Sequence, residues 1–159
     1  MGPLAFFENL PGVRIHVIHD SYSHVPSADH WPSEDRFAGQ LYIPTHTMDD
    51  VPELDVLIVP GGGGTRRLAD DRRWDQFVTR MYPNLKYLLS ICTGASIVAR
   101  SGVLDGRRAT TNKAAYRWVT SQGPRVNWVP GARWVADGNI WTSSGELKLM
   151  PSPPLEELE

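Results

Sequence analysis

The sequence predicts an α/β fold: an open, mostly parallel sheet with helices wound on both faces. Three observations carry that prediction. Short apolar runs alternate with segments of helical period along the chain. One run, 55–60, leads into four consecutive glycines, Gly61 to Gly64. Another, 87–91, leads into the chain's single cysteine, Cys92, followed by Thr93-Gly94-Ala95. Special residues at the carboxyl ends of buried strands are the mark of such sheets.

With 159 residues the chain is long enough for one core. Hydrophobic residues make up 41% and charged residues 21%, and the net charge is −2. This balance offers no basic field for nucleic acid or an acidic membrane. No apolar run approaches the ~20 residues of a membrane span, and no basic leader with an apolar stretch opens the chain. One cysteine cannot close an internal disulfide, so a reducing cytoplasm is the expected setting. No Cys/His cluster has metal-ligand spacing, so neither metal nor cofactor is expected.

Taken in order, Gly2 to Leu10 reads as the last turns of a helix closed by Pro11-Gly12. Val13 to Ile18 alternates and predicts a strand, whereas Asp20 to Asp35 is polar and reads as a loop over the site. Leu41 to Ile43 predicts a short strand before Pro44, and Asp55 to Pro60 the clearest strand of all. The glycine loop lets backbone N–H groups approach a ligand. It is no phosphate loop, because no Gly-Lys-Ser/Thr follows. Asp71 to Tyr82 sets Trp74, Phe77, Val78 and Met81 on one helical face, a core stripe.

Tyr87 to Ile91, nearly all apolar, predicts a strand buried on both faces, and Ile97 to Ala99 a buried helix closed by Gly102. Val103 to Gly106 forms a turn and Arg108 to Thr111 an extended piece. Thr111 or Asn112 can cap a helix carrying Ala114, Ala115, Trp118 and Val119. Val126–Val129, Arg133–Ala136 and Ile140–Thr142 predict short strands, the last two joined by a hairpin at Asp137-Gly138-Asn139. Residues 146–159 hold Pro151, Pro153 and Pro154 among acids and read as a disordered tail after a domain spanning 1–145.

The strand–turn–helix around Cys92 gives its thiol a reason to react. A sharp turn forces the central residue into a strained conformation and lifts its side chain above the sheet edge. Small Gly94 and Ala95 let the following helix start close by, and its N-terminus favours thiolate. The plainer reading of a lone cysteine is a small buried residue. Trp118, Trp128, Trp134 and Trp141 read as core or interface residues. Arg66 and Arg67 read as surface charges, His24 and His30 as loop residues, and His46 as a turn hydrogen-bonder.

Four blocks, Asp55–Arg66, Ser90–Ala95, Gly106–Lys113 and Asp137–Gly145, together resemble the DJ-1/PfpI family, nearest its isonitrile hydratase-like branch. The resemblance runs from Gly2 to Gly145. It implies a three-layer, flavodoxin-like sheet of the class I glutamine amidotransferase type. It makes Cys92 the nucleophile and Thr93 a participant in catalysis. The N–H groups of Thr93 and of Gly62 or Gly63 would form an oxyanion pocket, and Asn112 would line the substrate site. The implied reaction is hydration of an isonitrile to an N-substituted formamide, with a small-molecule substrate, no metal and a homodimer.

Relative to the family, the first strand with its acidic residue is expected to be missing, and so is the last helix. Neither Asp20, Asp29, Glu34 nor Asp35 stands where that acid would be, and Pro151 and Pro153 bar a helix at the end. A chain so clipped would need dimerisation to cover its sheet, or be marginal and inactive. Two other readings attach to the fold: a glyoxalase-type or stress-response enzyme, and a non-catalytic ligand-binding module.

Overall fold

The computed structural model describes residues 10–22, 25–26 and 41–145. The predicted helix over residues 2–9, the loop histidines His24 and His30, the acids Asp29, Glu34 and Asp35, and the tail from residue 146 lie outside the described residues. The chain divides into two units, 1–52 and 53–159.

In the first unit, β1 (Ile18–His19) pairs in parallel with β4 (His46–Thr47), and β2 (Val25–Pro26) pairs antiparallel with β3 (Leu41–Tyr42). The alternation over Val13–Ile18 therefore overstates the strand, and the predicted 20–35 loop contains β2, which pairs with β3 at two positions. Val13 is exposed, and the short partner strand pairs only the end of the segment. Val17 still bonds across the gap, accepting from Thr45 N and His46 N. His46 Nδ1 lies 3.0 Å from Thr45 Oγ1, the local bond expected of it, and 3.1 Å from His16 Nδ1.

The second unit holds a four-stranded sheet of β5 (Val56–Val59), β6 (Tyr87–Ile91), β9 (Trp134–Asp137) and β10 (Ile140–Ser143), in the order β5-β6-β10-β9. The first three neighbours run parallel and β9 antiparallel. The α1 helix (Gly64–Arg67) follows the glycine loop, and α2 (Arg72–Met81) begins at Asp71, whose carboxylate accepts from Arg73 N. A 3₁₀ turn over Cys92–Gly94 runs into α3 (Ala95–Arg100). Gly102, at φ +80°, ends that helix as predicted. Next come β7 (Arg108–Ala109), α4 (Tyr116–Ser121) and β8 (Asn127–Trp128), with β7 and β8 forming a small parallel pair. The Asp137–Ile140 hairpin has a two-residue loop with Gly138 at φ +60°.

Register explains which face is buried. Leu57, Leu88 and Ile140 align across three strands, as do Val59, Ser90 and Thr142, and all six are buried. The α3 helix packs on β5 and β6 and is contacted by α2 and α4. The opposite face carries Val56, Tyr87, Trp134 and Trp141, all exposed. The expectation that Tyr87–Ile91 is buried on both faces is therefore corrected: the strand alternates, with Tyr87 50% exposed and Leu88 fully buried. Among the described residues no helix is long and apolar enough to cross a membrane.

On α2 the predicted stripe buries Phe77 and Val78, each contributing about 1.5–3 kcal/mol. The periodicity did not reveal Asp75, which is buried on the same helix and meets Arg100 of α3 at 3.1 Å, with side chains 3% and 5% exposed. Burial raises the Asp75 carboxyl, and the Arg100 hydrogen bond and charge oppose that rise. Removing Arg100 would leave the buried carboxylate with only the largely exposed Arg72, whose Nε lies 3.1 Å from Oδ2. R100M should thus cost about 3–5 kcal/mol, read as a lowered urea midpoint with an unchanged slope.

Candidate active site

Cys92 occupies the point where β6 has ended and α3 has not begun. Its φ of +57° makes it the non-glycine residue with positive φ among the described residues. The strain expected of a nucleophile elbow is present. The side chain is half-buried.

Three glycines make this conformation fit. A Cβ on Gly61 would stand 2.6 Å from Thr93 N and 2.7 Å from Cys92 Cβ. A Cβ on Gly94 would stand 2.3 Å from Val59 O, so the small residue lets α3 start against the end of β5, the neighbour of the strand it follows. A Cβ on Gly145 would stand 2.6 Å from Cys92 Cβ and 3.2 Å from its Sγ, and Gly145 itself has φ +76°. Gly61 and Gly145 thus close on the cysteine directly. The sequence places Gly61 in the loop that approaches a ligand and Gly145 only at the end of a motif block, and the contact of each with the cysteine emerges from the structure.

Thr93 is buried and tied to the glycine loop. Its Oγ1 accepts from Gly62 N at 2.9 Å and donates to Gly62 O at 3.2 Å. Thr65 Oγ1 also donates to Gly62 O, at 2.8 Å. The structure therefore brings Cys92, Thr93 and Gly62 together, and the Gly62 amide expected in the oxyanion pocket is engaged by the Thr93 hydroxyl. Gly63 follows Gly62 on the exposed side of the loop and leads into α1.

Asn112 lies beside this group. Its Nδ2 donates to Ser144 O at 3.4 Å, one residue before Gly145, and its Oδ1 accepts from Ala115 N at 3.0 Å. Of the two predicted caps, Asn112 holds the turn, but α4 starts only at Tyr116, so Ala114 and Ala115 precede the helix instead of riding on it. Thr111 is fully buried and donates to Cys92 O at 2.9 Å. Sequence reasoning offered it only as a cap. The missed signal was a second β-branched hydroxyl beside Thr110 at a strand's carboxyl end, where burial obliges each hydroxyl to find an acceptor.

Around this centre the charges are few. Lys113 Nζ donates to Thr110 Oγ1 at 2.8 Å. Burial, then the charge of Arg133, lowers its pKa to about 8. The Arg66 guanidinium stacks 4.9 Å from the Trp118 ring, joining α1 to α4. Trp134 and Trp141 are exposed and stacked on each other, 5.6 Å apart, so of the expected core or interface positions they do not occupy the core. Among the described residues no group of three or more His, Cys, Asp or Glu side chains could hold a metal ion.

Two stability measurements test this geometry. At a left-handed position glycine is relaxed and alanine is strained, so C92G should be more stable than C92A by about 1 kcal/mol in urea denaturation. For Lys113 the folded state holds the proton less tightly than the unfolded state. Between about pH 8 and the ordinary 10.5 the unfolded chain therefore binds more protons, and stability climbs with pH. That climb should disappear in K113M.

Comparisons with known proteins agree on one family. The DJ-1/PfpI family profile matches residues 2–150. Isonitrile hydratase from Pseudomonas putida is 32% identical over 145 residues, 91% of this chain and 58% of that protein. A deglycase from Pyrococcus abyssi is 36% identical over 92 residues, 58% of this chain and 53% of that protein. A ThiJ/PfpI family protein from Pseudomonas syringae, solved by crystallography, superposes with a TM-score of 0.75 at 31% identity, covering 91% of this chain and 55% of that one. The chain spans little more than half the length of these three proteins.

Proposed function

The chain belongs to the DJ-1/PfpI family, and from that premise we propose that it is a cysteine-dependent hydro-lyase converting isonitriles to N-substituted formamides. The single observation that supports this most is Cys92, held at φ +57° at the carboxyl end of β6 with Thr93 bonded to the glycine loop beside it. The likeness to a named isonitrile hydratase across 91% of the chain points the same way.

In this reading Cys92 Sγ attacks the terminal isocyanide carbon, which takes a proton, giving a thioimidate. Water then adds to that carbon, and the developing oxyanion meets the N–H of Thr93 and of Gly62 or Gly63. Because Gly62 N donates to Thr93 Oγ1 in the resting site, the threonine hydroxyl turns aside to free it. There the hydroxyl relays one proton of the adding water to the thioimidate nitrogen, and collapse of that adduct breaks the C–S bond as its remaining O–H proton passes to the sulfur. The products are the formamide and the restored thiol, with Asn112 bordering the substrate. The proposal carries a small-molecule substrate, a homodimer and a cytoplasmic setting with it.

A second reading has its own support. The deglycase relative is 36% identical over the 92 residues it matches. That favours thiol chemistry on an aldehyde such as methylglyoxal. Incubation with cyclohexyl isocyanide, followed by mass spectrometry, decides between them. N-cyclohexylformamide should form, and C92A should slow it by roughly 10³-fold or more. Formamide at an equal rate from C92A would end the proposal, and turnover of methylglyoxal alone would replace it with the second reading.

A further inference from the structure

We propose that Thr111 is a positioning residue for the nucleophile, its hydroxyl fixing the peptide plane that joins Cys92 to Thr93. The inference rests on reading Cys92 as the reactive thiol. Thr111 has no exposed surface, and its Oγ1 donates to the Cys92 carbonyl at 2.9 Å. A trans peptide is planar, with N–H and C=O pointing in opposite directions. Holding the Cys92 oxygen from one side therefore aims the Thr93 N–H toward the other. One buried hydroxyl thus sets both the strained backbone that presents the sulfur and the direction of an amide proposed to receive negative charge.

Burial obliges both neighbouring hydroxyls to find an acceptor, and what distinguishes Thr111 is which acceptor it finds. Thr110 is equally buried, yet its hydroxyl donates to Val129 O at 2.9 Å and Ala132 O at 3.1 Å, within the fold's framework. Thr111 alone of the pair turns to the nucleophile. The next residue, Asn112, holds Ser144 O, and Gly145 after it lies against Cys92. Residues 111 and 112 therefore brace the cysteine from its own carbonyl and from the glycine at its side. Gly61 supplies the third wall. Packing by glycine limits where the cysteine can go, and the Thr111 hydroxyl is the polar group that selects the orientation of its carbonyl.

The test is the second-order rate of Cys92 alkylation by iodoacetamide in the native full chain, with folding confirmed by near-ultraviolet circular dichroism. The deciding pair is T111S against T111A, which differ by one oxygen. T111S should react within about twofold of wild type, and T111A and the isosteric T111V roughly tenfold slower. If the chain hydrates an isocyanide, the loss should fall on kcat and leave KM unchanged. Equal rates for T111S and T111A would overturn the inference. So would T111A and T111V failing to fold while T111S is native, because the hydroxyl would then serve the fold and not the thiol. A wild-type rate no faster than that of the urea-unfolded chain would instead remove the nucleophile itself, and this inference with it.

Discussion

An L-residue in the left-handed region lies about 1–2 kcal/mol above its ordinary conformations, and Cys92 stays there because its surroundings close off the alternatives. The strain is distributed over contacts that come from distant parts of the sequence. Gly61 follows β5, Gly94 opens the 3₁₀ turn onto α3, and Gly145 follows β10. Each sits at the carboxyl end of a parallel strand or at the start of the helix that follows one. The register of β5, β6 and β10 is therefore what brings Gly61 and Gly145 against one cysteine and Gly94 against the end of β5. A slip of a single residue would turn the side chains of a strand to the other face and unmake the elbow.

The rest of the second unit keeps that register in place. Leu57, Leu88 and Ile140 form one buried row and Val59, Ser90 and Thr142 the next. The row nearer the site is the more polar one. Thr142 Oγ1 accepts from Thr110 N at 2.8 Å, linking the sheet to the segment that reaches Cys92. On the helical layer, Asp75 and Arg100 fasten α2 to α3 through a pair with little solvent on either side. Fixing α3 fixes its first turn, and with it Thr93 and the loop that Thr93 holds.

What was legible in the sequence was local. The hairpin at Gly138, the cap at Asp71, the stop at Gly102 and the strands on either side of the glycine loop each follow from a few adjacent residues. So does the strained turn at Cys92, announced by the small residues behind it. Misreadings arose where a partner decides the outcome. Val13 to Ile18 alternates convincingly, but a strand needs a neighbour, and β4 is only two residues long. Tyr87 to Ile91 looks apolar on both sides, yet only one side meets α3. The role of Thr111 was illegible for the same reason, since nothing near residue 111 in sequence says that its hydroxyl acceptor is nineteen residues earlier.

The stacked indoles of Trp134 and Trp141 give the molecule a spectroscopic handle. With ring planes 15° apart, the two chromophores are close enough to share excitation, and coupled transitions of this kind write a paired positive and negative band in circular dichroism. Both rings stand on the hairpin whose second strand continues through Ser143 and Ser144 to the glycine that touches the thiol. The stacked pair is thus an optical reporter already encoded in the chain, standing on the hairpin that leads to the site, and no label has to be attached to read that hairpin.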